Sequence, residues 1–376
     1  MSPNVNSERS YHPPVSRTAP TPLLSRGIVY SVAPSGHRAA YVALLSRLFS
    51  LDPVVEPMSY SVRRRLIAAD RLLFATLDDD MFGFARVAIA RSALGRPTAA
   101  LFLRAKKCFE TSRWYYSAKR RAFAALRRLP GSTIATITPF EVAPHYAEVA
   151  NVGVCDPQYW DLCVDGEVCQ QSPTVLSKAV KEKAQGRAVC CALGTLGESK
   201  GLGFLAHLLE TNQDLQNRVL FVCAGQVPSA TQPLADRLGQ AGALVIPRYL
   251  TDTELGSLYA ISDAIWACYA PEYDQASGVF GRALQLGVVP VVRKGSVIEK
   301  FANHNLIETV RLDYGRDEAY LQFDSFINSL ARRSSGQSNT CKPSAWHAHF
   351  VAIIGAGMLG PRSGDLGNYK ERDTKA

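Results

Sequence analysis

The sequence predicts an α/β protein made of two Rossmann-like, doubly wound parallel-sheet domains facing a cleft. Three observations carry this. The chain has 376 residues, too many for one average core and enough for two. Short β-branched or aromatic runs alternate with amphipathic stretches, the order that yields a parallel sheet covered on both faces. The alternation breaks once, over 151–185, and then restarts.

In the first half the strand candidates are 27–33, 72–78, 99–105 and 132–139, and helical stretches at 36–50, 82–96 and 117–128 follow the first three. The break carries Asp156-Pro157, Asp165-Gly166 and Ser172-Pro173, turn-forming pairs that interrupt both periods. Beyond it the strand candidates are 188–194, 219–225, 243–249, 264–270 and 288–293, with helices at 203–209, 230–240, 252–262 and 279–286. Thr251 and Glu254 form a capping box at the start of the third of these helices. The resulting organisation is a polar tail at 1–26, a first domain at 27–165, a linker at 166–185, a second domain at 186–340, a C-terminal helix packed back on the body at 341–360, and a second tail at 361–376. Both tails are aperiodic and are expected to be disordered. Two such sheets in tandem bring their strand C-termini, where these folds bind ligands, to a common cleft.

An apolar content of 47% supports burial along most of the chain. The nine cysteines include no C-x-x-C pair and no accompanying histidine pattern, so they read as reduced thiols filling cores, with no metal site expected. The first 26 residues lack an apolar signal core, and no later run approaches the roughly 18 to 20 residues of a spanning helix. A cytoplasmic protein is expected, peripheral on the inner face of a membrane. Net charge is +9, and through residue 165 there are 21 Lys and Arg against 13 Asp and Glu. The first half is therefore expected to meet an anionic partner or surface.

Two segments carry chemistry. Leu193-Gly194-Thr195-Leu196-Gly197-Glu198-Ser199-Lys200-Gly201-Leu202-Gly203 is a strand end, a glycine-containing loop and a lysine at the mouth of a helix. Glycines let the backbone approach an anion, a helix N-terminus offers unpaired N–H groups, and Lys200 adds a full positive charge. The second segment runs from Pro271-Glu272-Tyr273-Asp274 through Ser277-Gly278-Val279 to Arg282 and Gly287. Its helix opens in small residues that can present N–H donors to a phosphate, and the carboxylates before it can hold sugar hydroxyls. An acidic loop capping a helix is the plainer reading of that segment alone.

Together, and with 221–225 and 251–259 between them, these segments resemble the C-terminal donor domain of GT-B glycosyltransferases, most closely the large retaining glycosyltransferase family four. The resemblance covers about 186–305 and rests on the ordered succession of segments. It implies that Lys200 grips the diphosphate of a nucleoside diphosphate sugar, the co-substrate, with no other cofactor. Thr195 stands where the family has an arginine. The family's two glutamates, seven residues apart, fall on Asp274 and Arg282; Asp274 can still accept from sugar hydroxyls, whereas a guanidinium cannot accept from ribose. Glu272 then substitutes, or Arg282 or Arg293 serves the diphosphate, or ordinary donor binding is lost. The implied donor-binding set is Gly194, Thr195, Lys200, Arg248, Glu272, Ser277, Gly278, Val279 and Arg282. The implied catalytic set is Asp274, His145 and Lys200.

The first half resembles the acceptor domain of the same fold less specifically. Gly36 and His37 lie in the loop after the first strand, and Asp78 opens an Asp-Asp-Asp run after the second; helix capping explains that run equally well. His145 follows the fourth strand, near where family members place a cleft histidine. The segment from Trp114 to Arg128 joins aromatics to a cationic helix suited to an anionic membrane surface carrying a lipid-linked acceptor, or to a plain solvated face. Nucleic acid is a third, weaker reading of that charge. Gly355-Ala356-Gly357-Met358-Leu359-Gly360 matches a dinucleotide fingerprint, but too few residues follow for a βαβ unit, and a C-terminal helix is expected. The resemblance thus implies a glycosyltransferase moving a hexose to a glycan or lipid-linked glycan without a protein-bound metal. A GT-B-like scaffold that has lost catalysis is the alternative.

Overall fold

The computed structural model describes residues 27–33, 37–110, 112–164, 172–330 and 343–360. The first half runs β1 (Gly27–Ser31), α1 (His37–Phe49), β2 (Asp52–Val55), α2 (Tyr60–Ala68), β3 (Arg71–Phe74), α3 (Met81–Ala93), β4 (Thr98–Phe102), α4 (Trp114–Leu126), β5 (Ser132–Thr136) and β6 (Val152–Gly153). The second runs α5 (Val175–Ala184), β7 (Ala188–Leu193), α6 (Leu202–Thr211), α7 (Gln213–Arg218), β8 (Val219–Ala224), α8 (Gln232–Gln240), β9 (Leu244–Ile246), α9 (Asp252–Ile261), β10 (Ala264–Ala267), α10 (Gly278–Gln285), β11 (Val289–Arg293), α11 (Val297–His304), β12 (Val310–Leu312) and α12 (Ala319–Leu330). Helix α13 (Pro343–Leu359) closes the described chain.

Each half contains one parallel six-stranded sheet, ordered β2-β1-β3-β4-β5-β6 and β12-β11-β10-β7-β8-β9. Central strands such as GIVYS and VLFVCA are buried at every residue, because helices cover both faces and no position meets water. In the first sheet Ile28, Tyr30, Leu72, Phe74 and Phe102 face α2, α3 and α4, while Val29, Leu73, Leu101 and Ala135 turn to the opposite core. That opposite core is shared: it also contains Tyr159, Trp160, Ala267, Tyr269 and Phe280, so the two halves meet over packed apolar surface. In the second sheet the order reverses at β7, which lies between β10 and β8. Ligands of such sheets bind at this switch point, beyond the carboxyl ends of the strands.

The C-terminal helix α13 packs on β3, β4 and β5 of the first sheet. A Cβ on Gly357 would lie 2.9 Å from the Thr133 side chain, so Gly357 brings helix and strand together, and Gly360 at φ +76 follows the helix end. The fingerprint-like glycines thus serve helix packing. The segment expected as a linker at 166–185 requires correction. Its 175–184 portion is α5, started by a reciprocal Thr174–Ser177 capping box and packed on α9 and β8. Strand β2 and helix α2, unassigned from sequence, complete the first sheet's edge.

Arg91 is fully buried in this sheet's outer helical layer and donates to the carbonyls of Leu66, Ala69 and Pro97, among others. Six described cysteines (108, 155, 190, 191, 223 and 268) are buried in the cores. Among the described residues no helix is long and apolar enough to cross a membrane.

Asp156, 2% exposed at the junction of the halves, accepts from Tyr41 Oη at 2.5 Å and from the Gln158 N–H at 2.9 Å. Burial pushes its carboxyl up to about 6 against the pull of these bonds. A folded-state value above the unfolded one means the folded protein holds the proton more tightly, so stability from this group is present at low pH and is lost as pH rises through that interval. Between about pH 4 and 6 this carboxyl is expected to reduce stability by on the order of 2–3 kcal/mol. Urea midpoints across that range should fall less steeply for Asp156→Asn; an unchanged slope would remove Asp156 from the explanation.

Candidate functional site

The loop after β7 is fixed by close packing. Gly194 and Gly201 adopt φ +98 and +68, and a Cβ on Gly201 would lie 2.0 Å from the Cys268 carbonyl oxygen, so only glycine allows this approach to the end of β10. A 3₁₀ turn spans Glu198–Lys200. Trp266 Nε1 donates to the Lys200 carbonyl at 3.1 Å, and the Ala270 N–H donates to the Ser199 carbonyl at 3.2 Å. These bonds leave the Lys200 ammonium 4.4 Å from the Tyr269 ring centroid and 4.9 Å from that of Tyr273. The rings stabilise the cation, while burial pushes its pKa down and Tyr273 opposes that shift.

Tyr269 also reaches the second predicted segment. Its hydroxyl lies 2.6 Å from Ser277 Oγ, and Ser277 caps α10 by accepting from the Phe280 N–H. Lys200 and Ser277 therefore share one neighbour at the switch point. The expectation of three free amides at 277–279 needs revision, because the Ser277 N–H donates to Tyr159 Oη at 3.4 Å. Gly278 and Val279 remain in the first turn, where N–H groups have no acceptor within the helix. Gly278 is close-packed too: a Cβ there would meet Gln158 Oε1 at 2.2 Å.

The acidic and basic residues of this segment are turned to other work. Asp274 accepts from the Val297 N–H at 2.8 Å and pairs with Arg293 at 3.0 Å. Arg293 in turn donates to the Tyr269 carbonyl at 3.1 Å. Arg282 forks onto Asp161 of the first half, with Nη2 at 2.8 Å from Oδ2, and Gln285 joins the same carboxylate. Arg282 and Arg293, both expected as candidates for the diphosphate, thus tie the two halves together and neutralise Asp274 respectively. Glu272 is exposed on the turn before Tyr273.

On the first half, both Asp78 oxygens accept main-chain N–H groups, from Leu103 at 2.7 Å and Arg104 at 3.0 Å. Its neighbours Asp79 and Asp80 pair with Arg38 and cap α3. The run is therefore structural, and Asp78 is raised to about 6 by burial. His145 is exposed and packs edge-on against Phe109 at 4.7 Å. Burial lowers its pKa, Glu148 opposes this, and the charges of Lys300 and Arg120 lower it further. Gly36 lies outside the described residues, as does the side chain of His37.

A cavity of about 120 Å³ opens beside the β7 loop, lined by Gly194, Thr195, Gly225, Gln226, Tyr249, Leu250 and Leu255. Gln226, Tyr249 and Leu250 escaped sequence reasoning, having no pattern beyond their position at strand ends. Tyr249 is 69% exposed. Arg248, expected at this site, is held bidentately by Glu254, the capping residue of α9. Along the carboxyl edge the order is thus the cavity, then Lys200, then the 271–274 turn facing the first half. Among the described residues no group of three or more His, Cys, Asp or Glu could hold a metal ion.

Two doubly wound domains with their carboxyl edges turned to one cleft form the GT-B fold. No family profile matches the chain, and no curated protein sequence matches it. Among solved structures it is similar to Anabaena Alr3699/HepE in complex with UDP, with a TM-score of 0.58 and 14% identity over 89% of this chain and 96% of that one. The same protein with UDP and glucose gives 0.56 and 14% over 88% and 97%. WaaG, a glycosyltransferase involved in lipopolysaccharide biosynthesis, gives 0.55 and 11% over 87% and 99%.

Proposed function

We propose that the protein is a glycosyltransferase that transfers a hexose from a uridine diphosphate sugar to a hydroxyl of a glycan or lipid-linked glycan. The observation that carries this reading is the desolvated Lys200 ammonium at the switch point, between Tyr269 and Tyr273, on the loop whose Gly194 and Thr195 line the cavity. The barrier in such a transfer comes largely from charge developing on the departing diphosphate. Lys200 and the N–H groups of Gly278 and Val279 would neutralise it, without a protein-bound metal. The cavity would take the base, with Tyr249 against its face, and the 271–274 turn would orient the hexose. UDP in the HepE complexes supports the choice of nucleotide. Acceptor presentation at an anionic membrane surface is supported by α4, where Trp114 is 83% exposed beside Arg113. Tyr60 and Phe82, 68% and 71% exposed, open α2 and α3 on the same helical layer.

The scaffold alternative gains no support from Arg282, which serves the junction while Lys200 keeps its place. Differential scanning with UDP tests the reading. At 100 times its dissociation constant a ligand of the folded state adds about 2.7 kcal/mol, so a rise in melting temperature of a few degrees is expected. UDP at millimolar concentration giving no shift would overturn it.

A further inference from the structure

The 271–274 turn is held from both halves. Asp274 fixes its far end within the second half, through the Val297 N–H at 2.8 Å and Arg293 at 3.0 Å. The first half holds its near end: Lys106 Nζ donates to the Glu272 carbonyl at 2.9 Å and to the Pro271 carbonyl at 3.5 Å. Lys106 is itself well supported. It lies in the 3₁₀ turn Ala105–Cys108, whose two end residues are each 2% exposed. Asp78 secures the backbone just before it, through the Leu103 and Arg104 N–H groups.

Between these two holds stands Tyr273. Its N–H donates to the Ala270 carbonyl at 2.9 Å, and its ring meets that of Tyr269 at 5.2 Å and 84°. Two nearly perpendicular rings make a corner, and the Lys200 ammonium lies in it, over both ring faces. The two walls are fixed differently. Tyr269 is 3% exposed and its hydroxyl is engaged by Ser277 Oγ, so the second half holds that wall. Tyr273 follows directly on the two carbonyls that Lys106 reaches.

We propose that Lys106 is a positioning residue: by clamping the turn at 271–272 from across the cleft, it sets Tyr273 as the second wall of the corner that presents Lys200 to a diphosphate. The diphosphate rests on the glycosyltransferase reading; the clamp and the corner stand on the geometry. A ring face restrains the ammonium without supplying an acceptor that competes for it, so the cation is aimed and stays available. One wall comes from the second half and the other depends on a lysine of the first, so the corner is complete only while the lobes are together. Whatever parts the lobes therefore loosens the grip on the diphosphate, and a bound diphosphate favours lobe contact by the same factor.

Inorganic pyrophosphate is the probe, titrated by calorimetry into the full chain, and binding through Lys200 is the part lost in Lys200→Ala. Tyr273→Leu is expected to weaken it about tenfold, the scale of one desolvated cation–ring contact, while Tyr273→Phe, which keeps the ring, stays within about twofold of native. Lys106→Met should weaken it about fivefold, yet by less than about twofold in the Tyr273→Leu background, because a residue acting through the ring then has nothing to act on. Additive losses would overturn the proposal by making Lys106 an independent charge at the anion, and native-like binding in Lys106→Met would do the same. Tyr273→Phe binding as weakly as Tyr273→Leu would assign the effect to the hydroxyl and remove the ring wall. Pyrophosphate binding that Lys200→Ala leaves unchanged would remove the corner altogether. Should UDP fail to bind while pyrophosphate binds through Lys200, the donor reading falls, and the same cycle of variants still decides the role of Lys106.

Discussion

Replacing Lys200 with alanine is expected to lower kcat/KM for UDP-sugar turnover by on the order of 10²–10³-fold, with UDP affinity falling in step. The effect is large because this cation is preorganised. Its carbonyl is tied to Trp266 and that of the preceding Ser199 to Ala270, its ammonium rests against two rings, and burial has already removed much of its water. A diphosphate entering beside it replaces water rather than competing with it. Lys200→Arg should not restore activity, since a broad planar guanidinium does not fit the slot that a compact ammonium occupies. UDP release and UDP calorimetry check both statements. A UDP affinity within twofold of the native value in Lys200→Ala would sink the donor assignment.

The largest expected effect on stability is at Arg91. Its Nη1 donates to Leu66 at 3.0 Å, Ile67 at 3.1 Å and Ala69 at 2.6 Å, and its Nη2 to Pro97 at 2.6 Å. Nε adds Thr98 Oγ1 at 3.0 Å. The first three carbonyls close the end of α2, where a cation also meets the negative pole of the helix. Burial lowers the guanidinium pKa to about 10, so it stays protonated at neutral pH. Arg91→Met keeps the apolar stem but leaves several buried carbonyls without donors, and is expected to cost about 3–5 kcal/mol. Urea midpoints measure this, and UDP affinity of the remaining folded protein should be unchanged.

Much of the fold was legible because its signals are local. Runs such as AVCCAL and VLFVCA are apolar throughout, as strands covered on both faces must be, and the Thr251–Glu254 box marks α9 directly. What escaped were short or atypical pieces. DPVV contains a proline and only four residues, and it forms an edge. The three residues of β12 leave no period to count. Helix α5 hides behind Ser172-Pro173, and its box uses Ser177 in place of the usual Glu or Gln.

The site divides in the same way. A lysine after a glycine-containing loop is a sequence pattern, and Lys200 lies where that pattern puts it. The pairing of Arg282 with Asp161, 121 positions earlier, is a tertiary event with no local trace. So are the rings of Tyr269 and Tyr273, the Tyr159 hydroxyl on the Ser277 amide, and the reach of Lys106 across the cleft. Charge counting leads to the expectation of an anionic partner for the first half but does not say which of its many cations lie at the cleft.

Because α13 returns to the first sheet after the second is complete, the polypeptide must pass between the lobes twice. Two covalent connections therefore join the lobes, where a single crossing would leave one tether. Cutting the backbone within either would reduce them to that single tether while leaving each sheet intact. The lobes would then depend on their shared apolar core, the Arg282–Asp161 tie and the Lys106 contact to stay in register.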